Sequence, residues 1–210
     1  MQFLAHRGAW LSRHEQNTLQ ALHKALVSGW GVETDIRDLN GELVISHDMP
    51  RAGVLTAAEF FDDYIETKAK SMLALNIKSD GLTTLLKQLL DERGITRYFC
   101  FDMSVPDSLA YLKQDMLIAA RLSEYEDEGI LSEAAKTLWV DGFSHLNLKN
   151  EQLARWLENG KQVCLVSPEL HGREPFEFWQ QLAWLPDELR LNPNLMLCTD
   201  NPATVSEIVQ

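Results

Sequence analysis

Residues 31–48, GVETDIRDLNGELVISHD, begin as an apolar strand pattern, break into two carboxylates at Glu33 and Asp35, and close on the pair His47-Asp48. Positions i and i+2 of a strand face the same way, so Glu33 and Asp35 point together. The Asn40-Gly41 step is a two-residue hairpin signal, which makes the second half of the stretch a short excursion after the strand. A helical pattern, TAAEFFDDYIETKAK, follows with Thr56 placed as its N-cap. The stretch therefore reads as one strand, hairpin and helix unit whose strand ends in charge.

The same unit recurs along the chain. Apolar runs at 2–6, 31–35, 73–77, 97–102, 116–121, 138–141, 162–166 and 194–198 alternate with longer helical patterns. Gly29, Gly94 and Gly160 follow last turns, and Pro106 and Pro202 fall in first turns. Continuous apolar strands separated by helices predict a parallel sheet covered on its outside. Eight such units predict an α/β protein with a closed, compact (β/α)8 TIM-type barrel, a single domain over residues 1–210. An open doubly wound sheet is the structural alternative, but its Gly-rich loop after the first strand is missing.

Composition narrows the function. With 31 acidic residues against 19 basic and a formal net charge of -12, the chain is not expected to bind nucleic acid or anionic lipid surfaces. No apolar run reaches the ~20 residues of a membrane span, so no membrane insertion is expected. Cys100, Cys164 and Cys198 sit inside apolar runs and behave as small hydrophobes, which together with their odd number points to a reducing, cytoplasmic location.

In a (β/α)8 barrel chemistry collects at the C-terminal ends of the strands. Here those ends carry His6-Arg7, Glu33 with Asp35, Asn76 with Lys78, Asp102, Arg121, Asp141, Ser167 with Glu169, and Thr199-Asp200. Two carboxylates ~6 Å apart repel by roughly 3 kcal/mol at an effective dielectric of 20. A shared proton, a neighbouring Arg or Lys, or a hard divalent cation would offset this; a structural ion-pair cluster with Arg7 or Lys78 is the plainer alternative. His6 and His47 bring two imidazoles able to act as general acid and general base. Gly8 is expected to let the backbone approach a ligand closely. Neither a GxSxG nucleophile elbow nor a zinc motif is present.

Five motifs, LAHRG, EQNTLQALHKAL, GVETDIRDLNGELVISHD, the third-strand NIK and the final CTDNP, together resemble the glycerophosphodiester phosphodiesterase family in order and spacing. That resemblance implies a (β/α)8 barrel and catalytic roles for His6 and His47. It implies that Glu33 and Asp35 bind a divalent cation, Mg2+ or Ca2+, and that Arg7 and Lys78 hold the phosphate. Two positions depart from the family pattern. Gln16 stands where the ENT motif opens with Glu, and Asn76 stands where the third strand carries a metal-binding Glu. An amide oxygen still coordinates a hard cation, so Asn76 is the third expected ligand, with one negative charge fewer. Asp102 and Arg121 are expected substrate contacts in a divergent branch.

The reading is a metal-dependent phosphoric diester hydrolase acting on a small glycerophosphodiester-like substrate by His/His acid-base catalysis, in the lipid metabolism the resemblance implies. The rival from another class is a catalytically weak module that binds a phosphate ligand on the same barrel. A metal-assisted lyase or aldolase on a similar barrel is a third.

Overall fold

The structure, a computed structural model, describes residues 1–146 and 148–209. The chain parts into two compact units, Ala5–Ile118 and a second made of Met1–Leu4 with the chain from Ala119 onward.

The unit Ala5–Ile118 starts inside β1 (Gln2–His6) and continues through α1 (Leu19–Val27), β2 (Gly31–Leu39), β3 (Glu42–Ile45), α2 (Ala57–Glu66), β4 (Leu73–Ile77), α3 (Thr83–Glu92), β5 (Tyr98–Phe101) and α4 (Val105–Lys113). β2 runs four residues past its predicted end, because its outer half pairs with β3 through Asn40-Gly41, whose φ angles of 53° and 85° fit a two-residue hairpin turn. β4 pairs parallel to β2 with Asp35 opposite Asn76, and β5 pairs parallel to β4. Cys100 then bridges in parallel to Ile118, the residue just ahead of the next strand. Helix starts obey the expected chemistry: Thr56 and Glu59 form a reciprocal capping box on α2, and Thr18 and Ser104 accept from backbone amides of α1 and α4. β4 and β5 are buried along their whole length, as strands covered on both faces must be.

The second unit carries β6 (Ala119–Leu122), α5 (Ile130–Ala134), β7 (Thr137–Val140), α6 (Asn150–Glu158), β8 (Gln162–Val166), α7 (Phe176–Ala183), α8 (Asp187–Arg190), β9 (Leu195–Thr199) and α9 (Pro202–Val209). Its strands pair parallel in the order β6-β7-β8-β9. Leu138, Leu153, Leu165, Leu182, Leu197 and Val205 fill its core, each buried side chain contributing about 1.5–3 kcal/mol. The helical pattern EPFEFWQQLAWLPDEL forms two helices, because Pro186 cannot donate to the turn before it. Trp139 and Trp179 are core residues, whereas Trp184 is exposed at the end of α7.

Strand order through the sheet is β5-β4-β2-β1-β9-β8-β7-β6, with β3 pairing off β2. This is the α/β, (β/α)8 TIM-type order predicted from the sequence. All three cysteines are buried and none is in a disulfide. Among the described residues no helix is long and apolar enough to cross a membrane.

Candidate active site

The polar strand ends of the unit Ala5–Ile118 converge on Asp35. After His6 the backbone turns through left-handed conformations at Arg7 (φ 58°) and Gly8 (φ 92°). A Cβ on Gly8 would lie 2.6–2.8 Å from the backbone of Ala21 and Leu22, so this glycine permits a close approach to α1. The Arg7 amide donates to the Glu33 carbonyl (2.8 Å), and the Asn17 amide donates to the Arg7 carbonyl (3.0 Å). The Trp10 indole donates to the His6 carbonyl (2.9 Å).

Asp35 is fully buried and sits among donors. Asn17 Nδ2 donates to its Oδ2 (2.8 Å). Arg7 Nε lies 3.0 Å from Oδ2 and Lys78 Nζ 3.3 Å from Oδ1. Asn17 Oδ1 in turn accepts from Thr34 Oγ1 (2.8 Å), so one amide fastens both residues of β2. Asn17 has φ 59°, a left-handed position that asparagine tolerates. Sequence reading gave it no role; the signals were its place in the ENT-like motif and an αL-tolerant residue just ahead of a helix cap. Gln16 Oε1 accepts from Arg7 Nη1 at 3.4 Å, while Glu15 is engaged with the Leu11 amide and the Ser12 hydroxyl. The neighbouring acid therefore does not stand in for the one replaced by Gln16.

Glu33, only 2% exposed, fares differently. Its Oε2 lies 3.8 Å from His6 Nε2. Burial first and the Asp35 charge second push its pKa up to about 7, against the opposing pull of His6, Arg7 and Lys78. Asn76, opposite Asp35 on β4, is also buried. Three buried oxygens, Glu33 Oε2, Asp35 Oδ1 and Asn76 Oδ1, accept no hydrogen bond, Asp35 Oδ1 having only the Lys78 ion pair at 3.3 Å. Such groups are costly unless something else satisfies them. Two carboxylates and an amide, all oxygen donors, suit a hard divalent cation. Among the described residues no group of three or more His, Cys, Asp or Glu is arranged to hold a metal, so an ion here depends on the Asn76 amide.

His47 follows β3. The Ser46 amide donates to the Asp35 carbonyl (3.0 Å) and Arg37 Nε to the His47 carbonyl (3.0 Å), which tie this segment to β2. His47 Nδ1 lies 2.8 Å from Asp48 Oδ1. A carboxylate only accepts, so Nδ1 carries the proton and the half-exposed ring keeps Nε2 for exchange. That hydrogen bond, with Arg7 and Arg37 nearby, holds the Asp48 carboxyl below its ordinary range. Arg7, Asn17, His47 and Asp48 line one cavity of about 960 Å³. Asp102 is exposed one residue beyond β5 in a left-handed conformation.

Arg121 belongs to the other unit. Its Nε donates to Glu126 Oε2 (2.6 Å) and its guanidinium lies 5.3 Å from the centre of the Phe143 ring. In the same unit Asp141 at the end of β7 pairs with His171 Nε2 (2.6 Å).

Neither a protein-family model nor a curated protein matches the sequence. Solved structures do match the fold over nearly its whole length. A candidate glycerophosphodiester phosphodiesterase from Galdieria sulphuraria is 19% identical, with 99% of this chain and 97% of that one covered and a TM-score of 0.74. A phosphodiesterase from Oleispira antarctica, solved with the product sn-glycerol-3-phosphate, is 14% identical over 100% and 96% of the two chains, with a TM-score of 0.68. A glycerophosphodiester phosphodiesterase from Agrobacterium tumefaciens is 15% identical over 99% and 98%, with a TM-score of 0.65. The chain thus has the fold of the family that its motifs resemble.

Proposed function

We propose that the chain is a metal-dependent phosphodiesterase that cleaves a P–O bond in a small glycerophosphodiester-like substrate, with the site built around Asp35. The observation that carries this reading is the set of three buried oxygens of Glu33, Asp35 and Asn76 that accept no hydrogen bond, the Asp35 one being ion-paired to Lys78, with the His6 ring 3.8 Å from Glu33. These oxygens would hold a Mg2+ or Ca2+ ion. When bound, such an ion supplies positive charge that stabilises the negative charge growing on the nonbridging phosphate oxygens. Arg7 and Lys78 present cationic groups beside Asp35 and orient the phosphate. One imidazole of the His6 and His47 pair takes the proton of the attacking hydroxyl or water as its oxygen bonds to phosphorus. The other gives a proton to the alkoxide released as the opposite P–O bond breaks. A substrate hydroxyl next to the ester can be the attacking group and yield a cyclic phosphate. The steps require neither Asp102 nor Arg121.

A binding module is the second reading. It is favoured by one observation, that Arg7 and Lys78 already neutralise Asp35 without an ion. Diester cleavage assayed with added Mg2+, Ca2+ or Mn2+, with and without chelator, separates the two when run beside His6→Ala and His47→Ala. Metal-stimulated turnover lost in either variant supports the enzyme. Phosphate-ligand binding with no turnover under any metal overturns it.

A further inference from the structure

A second cavity lies wholly in the other unit, between the ends of β6 and β7 and the helix α6, and shares no residue with the site around Asp35. Leu122, Val140 and Trp156, all members of that unit's core, form its apolar floor, and Leu146 and Leu148 extend it. Its volume of about 420 Å³ is that of a small-molecule site. Two features of the wall point to an occupant. The first is an unused donor. Trp156 is only 4% exposed and its Nε1 donates to no acceptor, although a buried indole N–H ordinarily finds one. Glu128 beside it is already held by Arg155 and Gln152. Burial raises the Glu128 carboxyl, but Arg155, the neighbouring indole and Gln152 outweigh it and keep the group ionised.

The second feature is charge. Glu124, Glu126, Asp127 and Glu128 line the cavity, and among the described residues of the lining only His145 could carry a positive charge. Arg121 and Arg155 offset Glu126 and Glu128 by ion pairs. Glu124 is bonded by neutral donors, the Ser144 hydroxyl and the Ser144 and Phe143 amides, so its charge persists. Asp127 is exposed at the rim. An anionic guest would be repelled by these carboxylates. A plain hydrocarbon would leave the indole N–H without an acceptor.

We propose that this cavity is a second small-molecule site, which takes an organic amine. The apolar body of the amine rests on Leu122, Val140 and Trp156, its ammonium faces the Asp127 rim, and an oxygen on it accepts from Trp156 Nε1. The site stands whether or not the chain cleaves a diester. The test titrates the full chain and follows the Trp156 indole N–H resonance. Three probes share one ring and hydroxyl and differ in charge: 4-hydroxyphenethylamine, neutral 4-ethylphenol and anionic 4-hydroxyphenylpropionate. The resonance is identified by its loss in Trp156→Phe or, should that core variant not fold, by sequential assignment of the native chain. The amine is expected to shift it with a Kd of about 1 mM or below, at least about tenfold tighter than either other probe. Asp127→Lys, a change at an exposed position, is expected to weaken the amine at least about fivefold, and added salt to weaken it further in the native chain. An indole resonance unmoved by about 10 mM amine, binding of the neutral or anionic probe as tight as that of the amine, or an amine affinity unchanged in Asp127→Lys overturns the proposal.

Discussion

Beyond β8, Glu169 accepts hydrogen bonds from the Ser167 hydroxyl, the Thr199 hydroxyl and the Asp200 amide, while Ser167 Oγ also accepts from the Trp179 indole. On β2, Glu33 has an oxygen buried without a donor and an imidazole 3.8 Å away. Both are glutamates at the strand ends of one fold. A third carries the contrast further: Glu124, bonded by the Ser144 hydroxyl and the Ser144 and Phe143 amides, has its pKa pulled down to about 2, whereas burial and Asp35 push Glu33 up to about 7. A carboxylate saturated by its own chain serves the fold. One that folding leaves unsatisfied is, on the reading proposed above, free to take a ligand the chain does not supply.

The difference can be broken at its functional end first. His6→Ala and His47→Ala should each lower kcat/KM at least about 100-fold, the scale of one lost proton-transfer group, whereas Glu169→Gln should lower it less than about threefold. Comparable losses in all three would erase the distinction. Asp35→Asn should destabilise the protein by about 3 kcal/mol in urea titrations, because Arg7 and Lys78 lose their buried counter-charge. Glu33→Gln, measured in chelator, should cost under about 1 kcal/mol or stabilise, since it removes a buried charge that Asp35 repels. A saturating divalent cation, at about 100 times its Kd, should raise the stability of the native chain by about 2.7 kcal/mol and leave Glu33→Gln nearly unmoved. Glu169→Gln should cost about 1–3 kcal/mol without changing that metal response, because it leaves buried donors short of an acceptor.

The smallest effect is a titration. The folded-state pKa of Glu124 lies below its ordinary value of 4.5, so its contribution to stability is complete above that value and is lost as pH falls toward 2. The Ser144 amide resonance should follow it with a midpoint near 2; a midpoint near 4.5 would show the hydrogen bonds to be absent in solution.

Much of the fold was legible because the strand period and its punctuation are local. The run QVCLV is β8 to the residue, and LALNI is β4. Misses came where a partner distant in sequence or a break in the helix decided the boundary. β2 was read too short because its outer half is held by β3, and Pro186 divides the last long helical pattern into two helices. At the site, Glu33, Asp35, Asn76 and Lys78 could be grouped because strand alternation and the strand-end rule act on single residues. The Asn17 clasp on Asp35 and Thr34, and the packing of Gly8 against Ala21, depend on left-handed turns between β1 and α1 that no periodicity announces.

The cation is where the account stands or falls, and crystals soaked in Mn2+ test it directly by anomalous diffraction. The account predicts one strong peak between Glu33, Asp35 and Asn76, with oxygen ligands at about 2.0–2.6 Å. Arg7 and Lys78 still paired to Asp35, with no peak among those three side chains at saturating metal, would contradict it.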